Sequence, residues 1–327
     1  MKNSTENSQF GAGYGEPSFR LKRAFVYFIV AVALTLAAVG FLFQYYSLGN
    51  YLNAMLGKGF LWLPLPIFAA VVRLLSISVR RLVISDFLGG SARFKDSFIV
   101  TAASSGMRPL FPPVIYETSA ILGFRRFNLE YIKCFNLVAI DHFFDFAVVP
   151  LIVAFGTLLL LPRPHGFLLF AAAIILWLNS NVGVIRRFWI TLLAFFIPPT
   201  RNFMLYFHQT LLALDRKIYA KLFAASLGVH LFPFVAIWAS LYIVGIHLPA
   251  GEMFGIYPIS DLVMAIPGIL GNVGSREVAL AILYDGIADT KQLVAACGLI
   301  NLTIHLSLAV ISFPFFLLLL AIFKRKK

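Results

Sequence analysis

Long apolar runs, separated by short polar breaks rich in Arg and Lys, make up most of this chain. Ala24 to Phe43, Phe60 to Val79, Cys134 to Leu161, Gly166 to Ile185, Leu222 to Ile246 and Leu293 to Phe323 are each at least 20 residues long and almost uncharged. About 20 apolar residues are what a helix needs to cross a bilayer. The pattern therefore predicts an all-α, polytopic membrane protein with about six transmembrane helices, and an even number of spans puts both termini on one side. Two further apolar stretches, Gly106 to Gly123 and Pro267 to Gly286, contain prolines or glycines together with an arginine and a glutamate. Broken backbone at membrane depth persists only where it is buried in protein or lines a watery cavity. These two stretches are expected to be re-entrant hairpins and the seat of function.

Composition agrees with this class: 60% of the residues are hydrophobic, 13% are charged, and the mean hydropathy is +0.88. The net charge of +13 follows topology, because cytoplasmic loops collect Lys and Arg. With the amino terminus inside, only Lys58, Arg163 and Lys291 fall outside, and Arg73, Arg108 and Arg276 fall within membrane segments. The rest, among them Arg80, Arg81, Arg93, Lys95, Arg125, Arg126, Arg216 and Lys217, are read as cytoplasmic. That reading gives a multi-pass protein of the cell membrane with both termini in the cytoplasm. It gives no reason to expect a nucleic-acid partner, although a basic inner face attracts anionic lipid headgroups. Cys134 and Cys297 have no metal-ligand spacing, and neither a metal nor a cofactor is expected.

The expected organisation is a disordered cytoplasmic tail over residues 1–19, a transmembrane domain over 20–323, and a basic tail over 324–327. Within the domain, 20–161 and 162–323 form two halves, the second carrying a cytoplasmic linker over 186–221 on the membrane surface. Given the topology, the first hairpin enters from the cytoplasm. The second opens outward, between an outer loop (His247 to Asp261) and the segment Asp285 to Lys291. Each half then repeats span, span, hairpin, span in opposite orientation, an inverted repeat. In support, Asp141 and Asp145 follow Glu117 at the same two intervals at which Asn301 and His305 follow Glu277. Residues four apart share a helix face, so each pair points one way.

Ionisable groups inside a membrane are costly and mark function. At the second hairpin, Arg276 and amide groups released near Gly271 and Gly274 are suited to a phosphate, with Glu277 beside them; internal pairing that merely holds the hairpin is the competing reading. Arg108 and Glu117 are the first-hairpin counterparts, for which ligand contact and internal pairing are even. Asp141, His142 and Asp145 are read as a polar or proton relay with Glu117, against the alternative of a salt bridge to Arg93 or Arg125. Asn301 and His305 are their second-half equivalents. No nucleotide loop, HExxH or GxSxG pattern is present, so no catalytic residues are assigned.

The run Pro267-Gly268-x-x-Gly271-x-x-Gly274-x-Arg276-Glu277 before an apolar helix resembles the closing motif of the lysylphosphatidylglycerol synthase transmembrane-region family, flippase-like membrane proteins. Arg73 with Arg80, a Pro-containing motif with Glu117, and Ile140-Asp141-His142-Phe143-Phe144-Asp145 extend the likeness over most of the chain. The first hairpin departs from it in Pro112, Pro113 and Tyr116, with Arg108 ahead of Glu117. The resemblance implies handling of lipids with charged headgroups, phospholipid or polyprenyl-phosphate in type. Because the chain ends at Lys327, the soluble synthase domain of some members, and its activity, are not expected. The reading is a lipid translocase. The rivals are a membrane glycosyltransferase or lipid-modifying enzyme with Glu117 or Asp141 as general base, and a non-catalytic partner of a lipid-biosynthesis enzyme.

Overall fold

The computed structural model describes residues 57, 60–107, 113–160, 164–181, 201–263, 275–284 and 290–324. The expected first span, residues 24–43, lies outside them, as do the tail over 1–19, residues 182–185 at the end of the expected fourth span, residues 186–200 of the expected linker, and 325–327. All regular structure in the described residues is helical: α1 (Pro64–Phe87), α2 (Phe94–Met107), α3 (Pro113–Arg125), α4 (Tyr131–Leu158), α5 (Pro164–Asn181) and α6 (Arg201–Leu212) come first. They are followed by α7 (Arg216–Ile243), α8 (Ala250–Gly255), α9 (Tyr257–Val263), α10 (Ser275–Leu283) and α11 (Thr290–Lys324).

Helices α4 and α7, with the Lys291–Leu319 part of α11, are long and apolar enough to cross a membrane. Pro150, Pro233 and Pro314 lie inside these three, a placement that packed membrane helices tolerate. Phe155, Leu168, Val310 and Phe313 are exposed, as side chains facing lipid rather than water would be. The protein is a membrane protein.

Helix ends follow local chemistry. Pro64 opens α1, where its missing N–H costs nothing. Asp215 caps α7 by accepting from the Ile218 amide at 2.7 Å. Helices α1 and α7 close with the same motif. Gly89 and Gly245 take positive φ (84° and 89°). The next amides, of Gly90 and Ile246, then reach back to the carbonyls of Ser85 and Leu241.

Several expected boundaries move. The second span, expected to end at Val79, continues as helix to Phe87, because the basic pair after Val79 finds carboxylates within the bundle. The first hairpin starts earlier than Gly106: its arms are α2 and α3, packed together, with 108–112 outside the described residues. Arms of this length rise only about 20 Å, short of a hydrocarbon layer about 30 Å thick. The expected outer loop His247 to Asp261 is not a solvent loop. It folds into α8 and α9, and Gly251, Glu252, Met253, Ile256 and Tyr257 are buried where α8 packs on α4. Part of the expected linker is α6, held to α4 by a buried hydrogen bond from Asn136 to Thr210 (2.7 Å).

The core is organised around α1 packed along α7 and α11 packed along α2. Helix α4 receives α8, α3, α7 and α1, while α11 receives α10, α7 and α1. One apolar cluster joins Leu74 of α1, Ile152 of α4, Phe234 of α7 and Ile300 of α11. A second joins Ile84, Val100, Phe124, Ile140 and Leu222.

Candidate functional site

Between these two clusters lies a band of charge. Helix α1 presents Arg80 and Arg81 in succession, and α4 presents Asp141 and Asp145 one turn apart, so one guanidinium can reach both carboxylates. Arg80 donates from Nε to Asp141 Oδ1 (2.5 Å) and from Nη1 to Asp145 Oδ1 (2.7 Å) and Ser226 Oγ of α7 (2.8 Å). Arg81 donates from Nε to Asp141 Oδ2 (2.8 Å) and from Nη1 to Ser104 Oγ of α2 (2.9 Å). Its Nη2 stands 3.6 Å from Glu117 Oε2 of α3. His230 of α7 meets Asp145 Oδ1 at 2.9 Å, and His142 meets Glu117 Oε1 at 2.8 Å. Five helices thus converge on two guanidiniums, three carboxylates and two imidazoles. Asp141 and Asp145 lie about 15 and 21 Å along α4 from its start, near the middle of a bilayer-thick layer.

The two sides of the network differ. Arg80 and Asp141 are 2% exposed, whereas Asp145 is 27% and His142 40% exposed. The accessible edge therefore consists of carboxylates and imidazole, with the guanidiniums sealed behind it. Glu117 Oε2 is buried without a hydrogen bond among the described residues.

A second, smaller cluster sits where α9, α10 and α11 meet. Arg276 of α10 is buried and pairs through Nη2 with Asp261 of α9, and its guanidinium carbon lies 5.8 Å from the centre of the Tyr257 ring. Arg276 Nε has no hydrogen-bond partner among the described residues. Asn301 of α11 donates to the Tyr257 hydroxyl at 2.6 Å. No hydrogen bond or ion pair joins Arg276 to the larger network among the described residues.

Of the residues expected from sequence, Glu117, Asp141, His142 and Asp145 come together as a unit. Their basic partners are Arg80 and Arg81, not Arg93 or Arg125, which corrects the assignment of Arg80 and Arg81 to the cytoplasmic surface. Asn301 belongs to the second cluster. His305, one turn further along α11, is half-buried. Arg276 meets an internal carboxylate. Arg108, Gly271 and Gly274 lie outside the described residues, and Glu277 is on α10 with its side chain outside them. Sequence reasoning missed Ser226, His230, Asp261 and Tyr257. The signal for the first two was a serine and a histidine four apart on one face of an otherwise apolar span.

The profile of the Lysylphosphatidylglycerol synthase TM region matches residues 28–312. Comparisons with curated proteins and with solved structures gave no match. The matched region contains every residue of both charged clusters and covers most of the chain, so the chain belongs to the lysylphosphatidylglycerol synthase TM region family.

Proposed function

We propose that this protein is an integral membrane lipid translocase that moves a lipid with a charged or phosphate headgroup between leaflets. The observation that carries the reading is the buried network Arg80–Arg81–Asp141–Asp145–Glu117, near mid-bilayer depth and open only along its Asp145–His142 edge. Charges at such depth cost about 3 kcal/mol each on insertion scales, and an inert bundle has no use for so many. The packing pairs give further support. Exchanging α1 with α7, α2 with α8 and α9, α3 with α10, and α4 with α11 turns the contacts among these helices into one another, as expected for an inverted repeat of two three-span, one-hairpin halves. Such halves move against each other to expose a midplane site to either side.

In this reading the headgroup enters between the hairpins. Arg276, with the backbone at Gly271 and Gly274 and with Glu277 beside it, contacts the headgroup at the second hairpin, and Arg108 and Glu117 do so at the first. The lipid tails remain in the bilayer. Both termini face the cytoplasm, and the lipid is of phospholipid or polyprenyl-phosphate type. The test is leaflet exchange of fluorescent lipids with anionic, zwitterionic and cationic headgroups in proteoliposomes. Wild type accelerates exchange of at least one class, and Arg276→Gln and Asp145→Asn each abolish most of it. Unchanged exchange in both variants, with the proteins folded, overturns the reading, as does a lipid recovered chemically altered.

A further inference from the structure

His142 differs from the other histidine of the network. His230 meets one carboxylate oxygen, which a neutral imidazole satisfies by donating from Nε2. His142 has a carboxylate at each ring nitrogen: Glu117 Oε1 lies 2.8 Å from Nε2, and Asp145 Oδ2 lies 3.4 Å from Nδ1. A neutral imidazole has one N–H and one lone pair, so it would turn that lone pair toward a carboxylate oxygen. Only the imidazolium donates to both. The charge balance leads to the same state: Arg80 and Arg81 face Asp141, Asp145 and Glu117, leaving one negative charge that a proton on His142 cancels.

The bond at stake joins two separate elements. Glu117 belongs to the hairpin arm α3, and its one hydrogen bond among the described residues is to His142 of α4. Its other oxygen has only the longer approach of Arg81. His142 is also the most accessible member of the network, at 40% exposure, so its proton can exchange while the guanidiniums behind remain sealed. Among the described residues, the ionisable groups around it are Glu117 on α3, Asp141 and Asp145 on its own helix, Arg80 and Arg81 on α1, and His230 on α7. Helix α6, also packed on α4, carries Tyr206 and His208.

We infer that Glu117, His142 and Asp145 form a proton-binding site that latches the hairpin arm α3 onto α4, so that one bound proton closes the latch and its departure opens it. Binding adds H⁺ to the neutral imidazole and completes both ion pairs. Release to the exposed edge leaves a lone pair facing one of the two carboxylates, and Glu117 with its arm moves away. As an account of what drives lipid movement this rests on the translocase reading. The latch itself does not.

The test uses the full chain in nanodiscs with spin labels at Ser119→Cys on α3 and Phe155→Cys on α4, the native Cys134 and Cys297 replaced by alanine. The distance distribution is recorded at about pH 5 and about pH 11, well clear of ordinary histidine titration on both sides. The expected wild-type result is one population at the low pH and a second, displaced population at the high pH. Glu117→Gln leaves a single carboxylate, which neutral His142 can satisfy, so it stays in the first population at both values. His142→Gln carries no charge to balance the two carboxylates and shows the second population at both. A wild-type distribution that does not change with pH overturns the latch, and so does a Glu117→Gln protein that follows the wild type, whichever way His142→Gln behaves. In proteoliposomes an imposed pH gradient then changes the rate of lipid exchange in wild type. If no lipid is exchanged at all while the pH-dependent distances persist, the translocase reading fails and the latch stands.

Discussion

Asp141→Asn isolates what the buried network contributes to stability. Asp141 is 2% exposed and holds two guanidiniums at once, Arg80 Nε at 2.5 Å and Arg81 Nε at 2.8 Å. Asparagine keeps the shape. Its amide oxygen can accept from one arginine, but its NH2 group then points at the donors of the other, and the negative charge is lost. One charge-assisted hydrogen bond disappears, worth about 1.5–3 kcal/mol, and a buried cation loses its closest partner. Breaking a buried pair from one side costs about 3–5 kcal/mol. At about 2 °C per kcal/mol, the apparent Tm in detergent, followed by intrinsic fluorescence, should fall by roughly 6–10 °C. Arg81→Gln in the same chain removes the stranded cation, while Arg80 keeps Asp145 and Ser226. The double variant should therefore be more stable than the sum of the single losses implies, by about 0.5–3 kcal/mol. An Asp141→Asn protein melting within about 1 °C of wild type, or a double variant showing no such recovery, would refute the reasoning.

Three further outcomes follow from packing and charge elsewhere. Gly156→Ala puts a Cβ of α4 into the backbone of Phe254 and Gly255, atoms that cannot rotate aside, and should cost about 1–3 kcal/mol, read as a lower apparent Tm. Gly123→Ala drives a Cβ into Val100 where the hairpin arms meet; it should destabilise by a similar amount, with Val100→Ala restoring most of the loss in the same melting assay. Asp261→Asn leaves buried Arg276, whose Nε has no partner among the described residues, without the carboxylate it meets there. The expected cost is about 3–5 kcal/mol, with partial recovery on adding Arg276→Gln, and equal melting of the single and double variants would contradict it.

Much of this architecture could be read along the chain. Apolar runs of bilayer length mark α4, α7 and α11, because in lipid a helix that satisfies its own backbone is the default. Prolines and glycines beside Glu117 and Arg276 mark where the helices break. Asp141, His142 and Asp145 stand out because acids rarely occur inside such runs. Other features could not be read this way. An arginine at the end of an apolar run looks the same whether it reaches the headgroups or is buried, and Arg80 and Arg81 were assigned to the surface for that reason. The outcome depends on whether a distant segment brings carboxylates to meet them, and α4 does. Likewise Tyr257 and Asp261 sit in a stretch polar enough to pass for a loop, until α8 and α9 fold back against α4 and α10.

The sequence by itself determined that the chain lies in the membrane, where its long apolar helices α4, α7 and α11 run and which acids lie within them, since these depend on length, hydropathy and backbone chemistry local to each segment. Only the tertiary structure decided which charges meet. Pairing Arg80 with Asp141, or Glu117 with His142, requires separate helices to pack at one depth and one rotation, and the energy that selects that arrangement exists only once they are together.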